Sequence, residues 1–148
     1  MSTYRQILYQ IIFSTKERTP SLHEPHRREL YKYIWGVINN HDCKLYRIGG
    51  IEDHLHIFSD LHPSVCLADF VKAIKLASSS WIKNTGLFPL FPGWQTGYGA
   101  FTYNIKEKDA VIEYIKRQKE HHQKESFLHE YKRLLIENGV LYEEKYLL

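Results

Sequence analysis

The stretch Asp53-His54-Leu55-His56-Ile57-Phe58 lies near the middle of the chain and decides how the chain can fold. Its alternation predicts a β-strand, on which residues two apart point to the same face of the sheet. His54 and His56 are therefore expected side by side on one face, while Leu55 and Ile57 enter a core on the other. Two imidazoles placed in this way can bind one metal ion. Two partly buried histidines bonded to their neighbours would show the same pattern.

The segments around this stretch predict alternating strands and helices. The predicted strands cover residues 4–13, 43–48, 51–60 and 98–103, and the predicted helices cover 24–40, 65–84, a segment after 104 that runs to about 123, and 126–138. Gly49-Gly50 has the composition of a tight turn between the second and third strands, which predicts an antiparallel hairpin. Ser64 and Asn104 are plausible N-caps, and Gly139 is a natural residue to follow the last helix.

This order of elements predicts a single α+β domain over residues 1–148. A β-α-β-β-α-β core is the split β-α-β, or ferredoxin-like, plan, in which an antiparallel sheet has helices on one face. The two histidines would then point to the open face, where the third helix could lie against them.

The composition is that of an ordinary globular protein, with 43% hydrophobic and 25% charged residues. No apolar run is long enough to span a bilayer, and the first residues lack the plan of a signal peptide, so we expect a cytoplasmic protein with no membrane partner. Cys43 and Cys66 form no Cys-x-x-Cys pair and are expected to be free thiols. The net charge of +3 permits a nucleic-acid partner without requiring one.

The third predicted helix carries Tyr114 and Gln118, which are four residues apart and therefore share one helical face. A tyrosine hydroxyl can attack phosphorus, and an amide oxygen can be a hard metal ligand. An amphipathic helix that merely packs Val111, Tyr114, Ile115 and Gln118 against the sheet would have the same spacing.

Taken together, these motifs resemble the single-tyrosine transposases of the IS200/IS605 type, within the wider HUH endonuclease group. His54-Leu55-His56 is similar to the His-hydrophobic-His motif, and Tyr114-Ile115-Lys116-Arg117-Gln118 to the family's Tyr-Ile-x-Asn-Gln segment, with Arg117 in place of the usual Asn. The resemblance covers nearly the whole chain and includes segments 13–16, 49–53, 71–75, 94–101 and 121–122.

The resemblance implies a metal-dependent DNA strand transferase. His54, His56 and Gln118 would bind one divalent ion, Mg²⁺ or Mn²⁺, and Tyr114 would attack the scissile phosphate to form a 5′-phosphotyrosine. The helix with Tyr114 would then be an additional, catalytic helix in the C-terminal part of the chain. His121 and His122 are candidates for an auxiliary role in proton transfer or at the metal site, and a solvent-exposed histidine pair is the alternative.

The resemblance also implies the partners. Family members act as homodimers on single-stranded DNA with hairpins, and their composite active sites take the histidines from one subunit and the tyrosine helix from the other. Basic residues along the chain are candidate phosphate contacts. They are Lys16, Arg18, Arg47, Lys72, Lys75, Lys83, Lys116 and Arg117.

Three other interpretations remain open at this point. A domesticated relative could nick or join repeat-associated hairpins with the same chemistry. A ferredoxin-like nucleic-acid-binding module without catalysis would need neither Tyr114 nor a metal. A small zinc protein is disfavoured by Gln118 and by the lack of a third close His or Cys.

Overall fold

Four antiparallel strands form the sheet in the computed structural model, which describes residues 2–147. The strands are β1 (Leu8–Ser14), β2 (Leu45–Ile51), β3 (His54–Asp60) and β4 (Gly99–Tyr103), in the spatial order β2-β3-β1-β4. The helix α1 (Glu24–Asn40) follows β1, and α2 (Leu67–Thr85) follows β3. The predicted β-α-β-β-α-β plan is therefore confirmed, with the histidine strand in the interior of the sheet.

Helices α1 and α2 cover one face of the sheet. Leu55 and Ile57 of β3 are fully buried on this face, as the alternation predicted. They pack in one cluster with Ile34 of α1 and with Phe70 and Ile74 of α2. Because this layer takes the odd-numbered side chains of β3, its even-numbered side chains must point to the opposite face.

Three shorter helices cover the opposite face, namely α3 (Lys108–Lys116), α4 (Gln118–His121) and α5 (Phe127–Glu137). Val111 and Ile115 of α3 pack on Phe58 and Leu8, and α5 packs on the β1–β4 side of this face through Phe127 and Leu134. His54 and His56 therefore lie between the sheet and these helices, where the sequence placed them.

The third helix is not continuous to Gln123, which corrects the prediction. Helix α3 ends at Lys116, Arg117 leaves helical geometry at φ −95° and ψ 20°, and α4 begins at Gln118. The run from Lys116 to His122 has good helical propensity, so the sequence gives no local signal for a break. The break places the Gln118 side chain, which is 1% exposed, in the polar cluster under the sheet. Tertiary contacts thus override the local preference.

Gly49 and Gly50 do not form the hairpin turn, which corrects a second prediction. Both belong to β2 and pair with His56 and Leu55, while the turn falls at Glu52-Asp53. A Cβ on Gly50 would lie 2.1 Å from the backbone oxygen of His54, and one on Gly49 would lie 2.9 Å from the backbone oxygen of Ile115. The glycines are therefore needed for close backbone approach rather than for a turn.

Other boundaries differ by a few residues. Strand β1 begins at Leu8 rather than at Tyr4, which is 92% exposed. Cys66 rather than Ser64 precedes α2. Asn104 accepts a hydrogen bond from the backbone of Lys106 and forms the expected capping box with Glu107. Among residues 2–147, no helix has both the length and the apolar character needed to cross a bilayer.

Candidate active site

His54 and His56 are completely buried, and each ring is held through Nδ1. His54 Nδ1 lies 2.7 Å from Asp53 Oδ1, and His56 Nδ1 lies 2.7 Å from Gln10 Oε1. Gln10 Nε2 donates to the hydroxyl of Tyr103 at 2.8 Å, which orients its oxygen towards His56. Since both partners are acceptors, each Nδ1 carries its proton and each Nε2 points into the space between the sheet and α3–α5.

Glu130 of α5 is the centre of this space and is fully buried. Its Oε1 lies 3.3 Å from His54 Nε2, 3.2 Å from His56 Nε2 and 3.0 Å from His122 Nε2. Its Oε2 accepts hydrogen bonds from Gln118 Nε2, at 3.0 Å, and from the Tyr114 hydroxyl. One oxygen of the carboxylate thus faces three imidazoles, and the other faces the tyrosine.

Gln118 and His122 complete the ring of polar groups. Gln118 Oε1 lies 2.9 Å from His54 Nε2 and 3.1 Å from His122 Nε2. His122 Nδ1 lies 2.9 Å from the backbone oxygen of Glu125, so this ring also uses Nδ1 as a donor. The break at Arg117 therefore affects the position of both residues, because α4 begins with Gln118 and is followed directly by His122.

The three imidazoles face acceptors at both of their ring nitrogens, and this leaves the cluster short of positive charge. A neutral imidazole with its proton on Nδ1 has a lone pair on Nε2, which repels these acceptor oxygens unless a proton or a metal ion lies between them. The ligand atoms of His54, His122 and Glu130 all lie within 4.8 Å of one another, which is a spacing that one ion can span. The donor set therefore fits a divalent cation.

The electrostatics of the histidines differ. Burial opposes a charge on His54, but the hydrogen bonds to Asp53 and Glu130 outweigh it and raise its pKa to about 9. Burial dominates at His56 and lowers its pKa, with the charges of His54 and His122 acting in the same direction. In the metal-free protein, His54 thus keeps its second proton, and with it a positive charge, above neutral pH.

Tyr114 lies at the edge of the same cluster. Its hydroxyl donates to Glu130 Oε2 and accepts from Arg133 Nη2 at 2.8 Å, and the ring of His121 stacks on it with centroids 4.5 Å apart. Burial and the Glu130 carboxylate raise the pKa of the Tyr114 hydroxyl, while Arg133 acts against them. The tyrosine thus has a proton acceptor and a cation in direct contact with its oxygen.

All four residues that the sequence predicted as nucleophile and metal ligands meet in this cluster. Tyr114 meets the histidines through Glu130, while Gln118 contacts both Glu130 and His54 directly, although α3 ends between Tyr114 and Gln118. His122 joins the group of nitrogen donors, whereas His121 packs on Tyr114 instead and does not face Glu130.

The candidate DNA-binding residues lie in several separate places. Lys16 and Arg18 follow β1, and Arg117 lies between α3 and α4. Lys72 and Lys75 line a cavity of about 430 Å³ with Trp94 and Tyr98. Lys75 already donates to the backbone oxygens of Gln95 and Gly97, at 2.7 and 2.6 Å.

A second cavity, of about 330 Å³, reaches Gln118 from the outside. Arg47 and Lys116 line it, together with Arg28 and Lys119. Two of the predicted phosphate contacts, Arg47 and Lys116, thus line a cavity that reaches the polar cluster.

Sequence reasoning missed Glu130, Arg133 and Gln10. A signal existed for two of them. Glu130 occupies an inward position of α5 beside Phe127 and Leu134, and Gln10 interrupts the apolar strand β1. A charged or amide side chain on an otherwise apolar face must find a polar partner when it is buried. Arg133 gave no such signal.

Most of the chain matches a known protein family. The sequence profile described as IS200-like transposase matches residues 3–118. The chain belongs to this family. The resemblance read from the sequence is therefore confirmed, and α5 follows the matched segment.

Solved structures support the fold. A crystal structure of a candidate transposase from Deinococcus radiodurans is 22% identical, covers 80% of this chain and 95% of its own, and superposes with a TM-score of 0.63. A REP-associated tyrosine transposase bound to a REP hairpin is 18% identical, covers 82% of this chain and 74% of its own, and has a TM-score of 0.60. No curated protein matches the chain.

Proposed function

We propose that this transposase-family chain cleaves and rejoins single-stranded DNA at hairpins through a covalent 5′-phosphotyrosine on Tyr114. One observation carries the proposal. The Tyr114 hydroxyl donates to Glu130, and the same carboxylate contacts His54 and His56. A nucleophile, a proton acceptor and a set of metal-ligating groups are thereby joined within one chain.

The chain supplies a path for the proton of the nucleophile. In cleavage the Tyr114 oxygen forms a bond to phosphorus, its proton leaves to solvent by way of Glu130 Oε2, and the bond from phosphorus to the 3′ oxygen breaks. The released 3′ oxygen takes a proton from solvent. The phosphotyrosine conserves the energy of the phosphodiester, so that a later 3′-hydroxyl can reseal a strand without ATP.

The residues that would hold a divalent ion are His54, His56, His122 and Glu130, with Gln118 beside them. Such an ion would supply Lewis-acid polarisation of the scissile phosphate. Compared with the ligands predicted from the sequence, this donor set contains one more imidazole, that of His122, and a carboxylate, that of Glu130. We therefore propose Mn²⁺ ahead of Mg²⁺, because imidazole nitrogen is a poor ligand for Mg²⁺.

A DNA phosphate must be able to reach the buried cluster for this chemistry to occur. His54, His56 and Glu130 have no exposed surface, and Gln118 is 1% exposed. A phosphate can reach their polar atoms only if a side chain or helix that covers them moves. Helices α4 and α5 provide this cover, and α4 is only four residues long. We propose that DNA binding displaces groups of this layer from the cluster.

A hairpin is proposed as the substrate because one solved neighbour is a REP-associated transposase bound to a REP hairpin. The same neighbour keeps open the alternative that this chain is a domesticated enzyme acting on repeat-associated hairpins. The two possibilities share their chemistry. Genomic position and the choice of hairpin, rather than the active site, would separate them.

The decisive experiment is an adduct assay. The protein is incubated with a panel of single-stranded hairpins, including those that flank its own gene, with Mn²⁺ or Mg²⁺, and resolved on a denaturing gel. Wild type is expected to give a covalent adduct that Tyr114→Phe abolishes. Tyr146→Phe is the matched control for Tyr114→Phe, because Tyr146 is 73% exposed. His56→Ala should lose the adduct and keep hairpin binding. An adduct that survives Tyr114→Phe contradicts the assignment of the nucleophile.

The active site is proposed to work in cis, because Tyr114 and the histidines of the same chain contact one carboxylate, that of Glu130. The sequence-based expectation of a homodimer with composite sites can be tested by mixing Tyr114→Phe with His56→Ala. In composite sites, a mixed dimer would contain one intact site and regain cleavage. We expect no recovery, and recovery would show that the tyrosine serves a partner subunit.

A second candidate function is hairpin binding without catalysis. The complete burial of the cluster favours it, because catalytic metal sites normally keep an open position. This candidate predicts hairpin affinity that is unaffected by Mn²⁺, and no adduct with any hairpin of the panel. The adduct assay therefore separates the two functions directly.

A further inference from the structure

Arg133 of α5 contacts the oxygen of Tyr114 directly. Its Nη2 donates to the Tyr114 hydroxyl at 2.8 Å, and its guanidinium carbon lies 5.7 Å from the centre of the tyrosine ring. Arg133 lies fifteen positions beyond Gln118, where the match to the transposase family ends. The family motif therefore assigns it no role, and its contact with the proposed nucleophile needs an explanation.

The guanidinium is held in a fixed orientation by two carboxylates. Glu125 Oε1 accepts from Nη2 at 2.7 Å, and Glu137 Oε1 accepts from Nη1 at 3.2 Å. The side chain is 34% exposed, so it is neither a free surface charge nor a core residue. Two anionic partners fix the fork so that one N–H of Nη2 is directed at the phenol oxygen.

The contact also faces open space. Tyr114 and Arg133 line a cavity of about 710 Å³ together with Arg117, Lys124 and His129. This cavity reaches Tyr114 from the side of Arg133, while Glu130 and the histidines lie at the other side of the hydroxyl. The phenol oxygen thus lies between a buried carboxylate and an accessible cavity, whose lining includes three cationic side chains and the carboxylates of Glu120 and Glu125.

We propose that Arg133 is a catalytic residue that stabilises negative charge on the Tyr114 oxygen in both directions of strand transfer. This inference rests on the proposed phosphotyrosine chemistry. A guanidinium is always charged, so its hydrogen bond strengthens as the phenol becomes a phenolate. The stabilisation is therefore larger in the transition state than with the neutral hydroxyl, which is the condition for catalysis.

Arg133 would act most directly in the rejoining step. There a 3′-hydroxyl attacks phosphorus, the new bond from the 3′ oxygen to phosphorus forms, and the bond from phosphorus to the Tyr114 oxygen breaks. The electron pair of that bond goes to the phenol oxygen, to which Arg133 Nη2 donates. The attacking hydroxyl gives its proton to solvent, and the Tyr114 oxygen takes a proton back from solvent by way of Glu130.

A purely structural role would be a tether between α3 and α5. Arg133 could then be replaced by any group that keeps α5 in place, and the chemistry of the phenol would not affect the result. The two roles therefore differ in their dependence on the basicity of the tyrosine oxygen, which can be varied without changing the arginine.

The experiment measures cleavage and rejoining separately in single turnovers with wild type, Arg133→Gln and Arg133→Lys. Lys132→Gln is the matched control, because Lys132 is the adjacent cation of α5 and pairs with Glu144 instead. We expect Arg133→Gln to slow both steps by about 10- to 100-fold, the range for a hydrogen bond to a charged group. Arg133→Lys should recover part of the rate, and Lys132→Gln should match wild type.

A fluorotyrosine at position 114, whose phenolate is less basic, separates catalysis from tethering. We expect it to speed rejoining by Arg133→Gln more than rejoining by wild type, because a better leaving group needs less stabilisation. Equal effects in both proteins, or wild-type rates in Arg133→Gln, would overturn the proposal. If Arg133→Gln does not fold, Arg133→Lys gives the same comparison. Absence of any wild-type adduct would instead refute the proposed function.

Discussion

Replacement of Glu130 by Gln is the most informative perturbation of the cluster. It keeps the shape of the side chain and removes the one negative charge that contacts all three imidazoles, at 3.0 to 3.3 Å. An amide can accept at its oxygen and donate at its nitrogen, but it cannot compensate a buried imidazolium. The result therefore depends on how many of the histidines are charged.

The size of the effect follows from this charge. At about pH 6, with metal removed, we expect a loss of about 3–5 kcal/mol in the free energy of unfolding, the usual result of breaking a buried ion pair. At about pH 9.5 the loss should fall to about 1 kcal/mol, because a neutral His54 can accept a hydrogen bond from the new amide. For a domain of this size the loss at low pH corresponds to a decrease of about 6–20 °C in the melting temperature.

The assay is urea unfolding in the presence of a chelator at several pH values. Glu137→Gln is the matched control, because Glu137 lies on the same helix, is half exposed and pairs with Arg133 as an i, i+4 neighbour. Its loss should be about 0.5 kcal/mol or less. A loss for Glu130→Gln that equals the control, or that does not change with pH, would refute the charged cluster described above.

Three further predictions concern the protonation of His54, the binding of a metal ion and the packing of two glycines. The pKa of His54 is about 9 in the folded protein, above the unfolded value near 6.5, so its contribution to the metal-free protein is complete below about pH 6.5 and is lost as the pH rises through 9. Urea unfolding should show that the free energy of unfolding falls by about 3 kcal/mol over this pH range, and that His54→Gln no longer shows this fall. His56 should not contribute, because its pKa is lowered and it is already neutral in this range. Calorimetry in buffers of different ionisation enthalpy should show that Mn²⁺ binding releases protons and tightens with pH, and no proton release would contradict ligation by the imidazoles. Gly50→Ala should cost on the order of 3 kcal/mol because of its 2.1 Å clash with backbone, whereas Gly36→Ala, with open space around it, should stabilise α1 by about 0.5–1 kcal/mol.

The architecture was predictable because its signals are local and repeated. The alternation of Leu55 and Ile57 with the two histidines is sufficient to place one pair in the core and the other on the opposite face, and the structure confirms this arrangement. The order of strands and helices then determines the sheet, since few topologies suit that order. The prediction of a turn at Gly49-Gly50 was wrong because glycine is suited both to tight turns and to positions where two backbone segments lie close together. Only the packed hairpin distinguishes these two uses.

The site was predictable only in part. His54, His56, Tyr114 and Gln118 belong to motifs with recognisable spacing, whereas the partner that joins them does not. Glu130 is 74 residues from His56, on a helix whose other inward residues are ordinary apolar ones. A charged residue on an apolar helix face indicates that it has a polar partner, but a single sequence does not indicate which distant residue that partner is. The break at Arg117 has the same cause, because it depends on where Gln118 is held and not on local propensity.

The position of α5 near the end of the described chain has a consequence for synthesis. The strand with the two histidines is complete at residue 60 and the proposed nucleophile at residue 114, but the carboxylate and the guanidinium that contact the tyrosine follow at 130 and 133. A nascent chain therefore carries its tyrosine and histidines before it can assemble them. The proposed strand-breaking activity would thus be absent until residue 133 has left the ribosome.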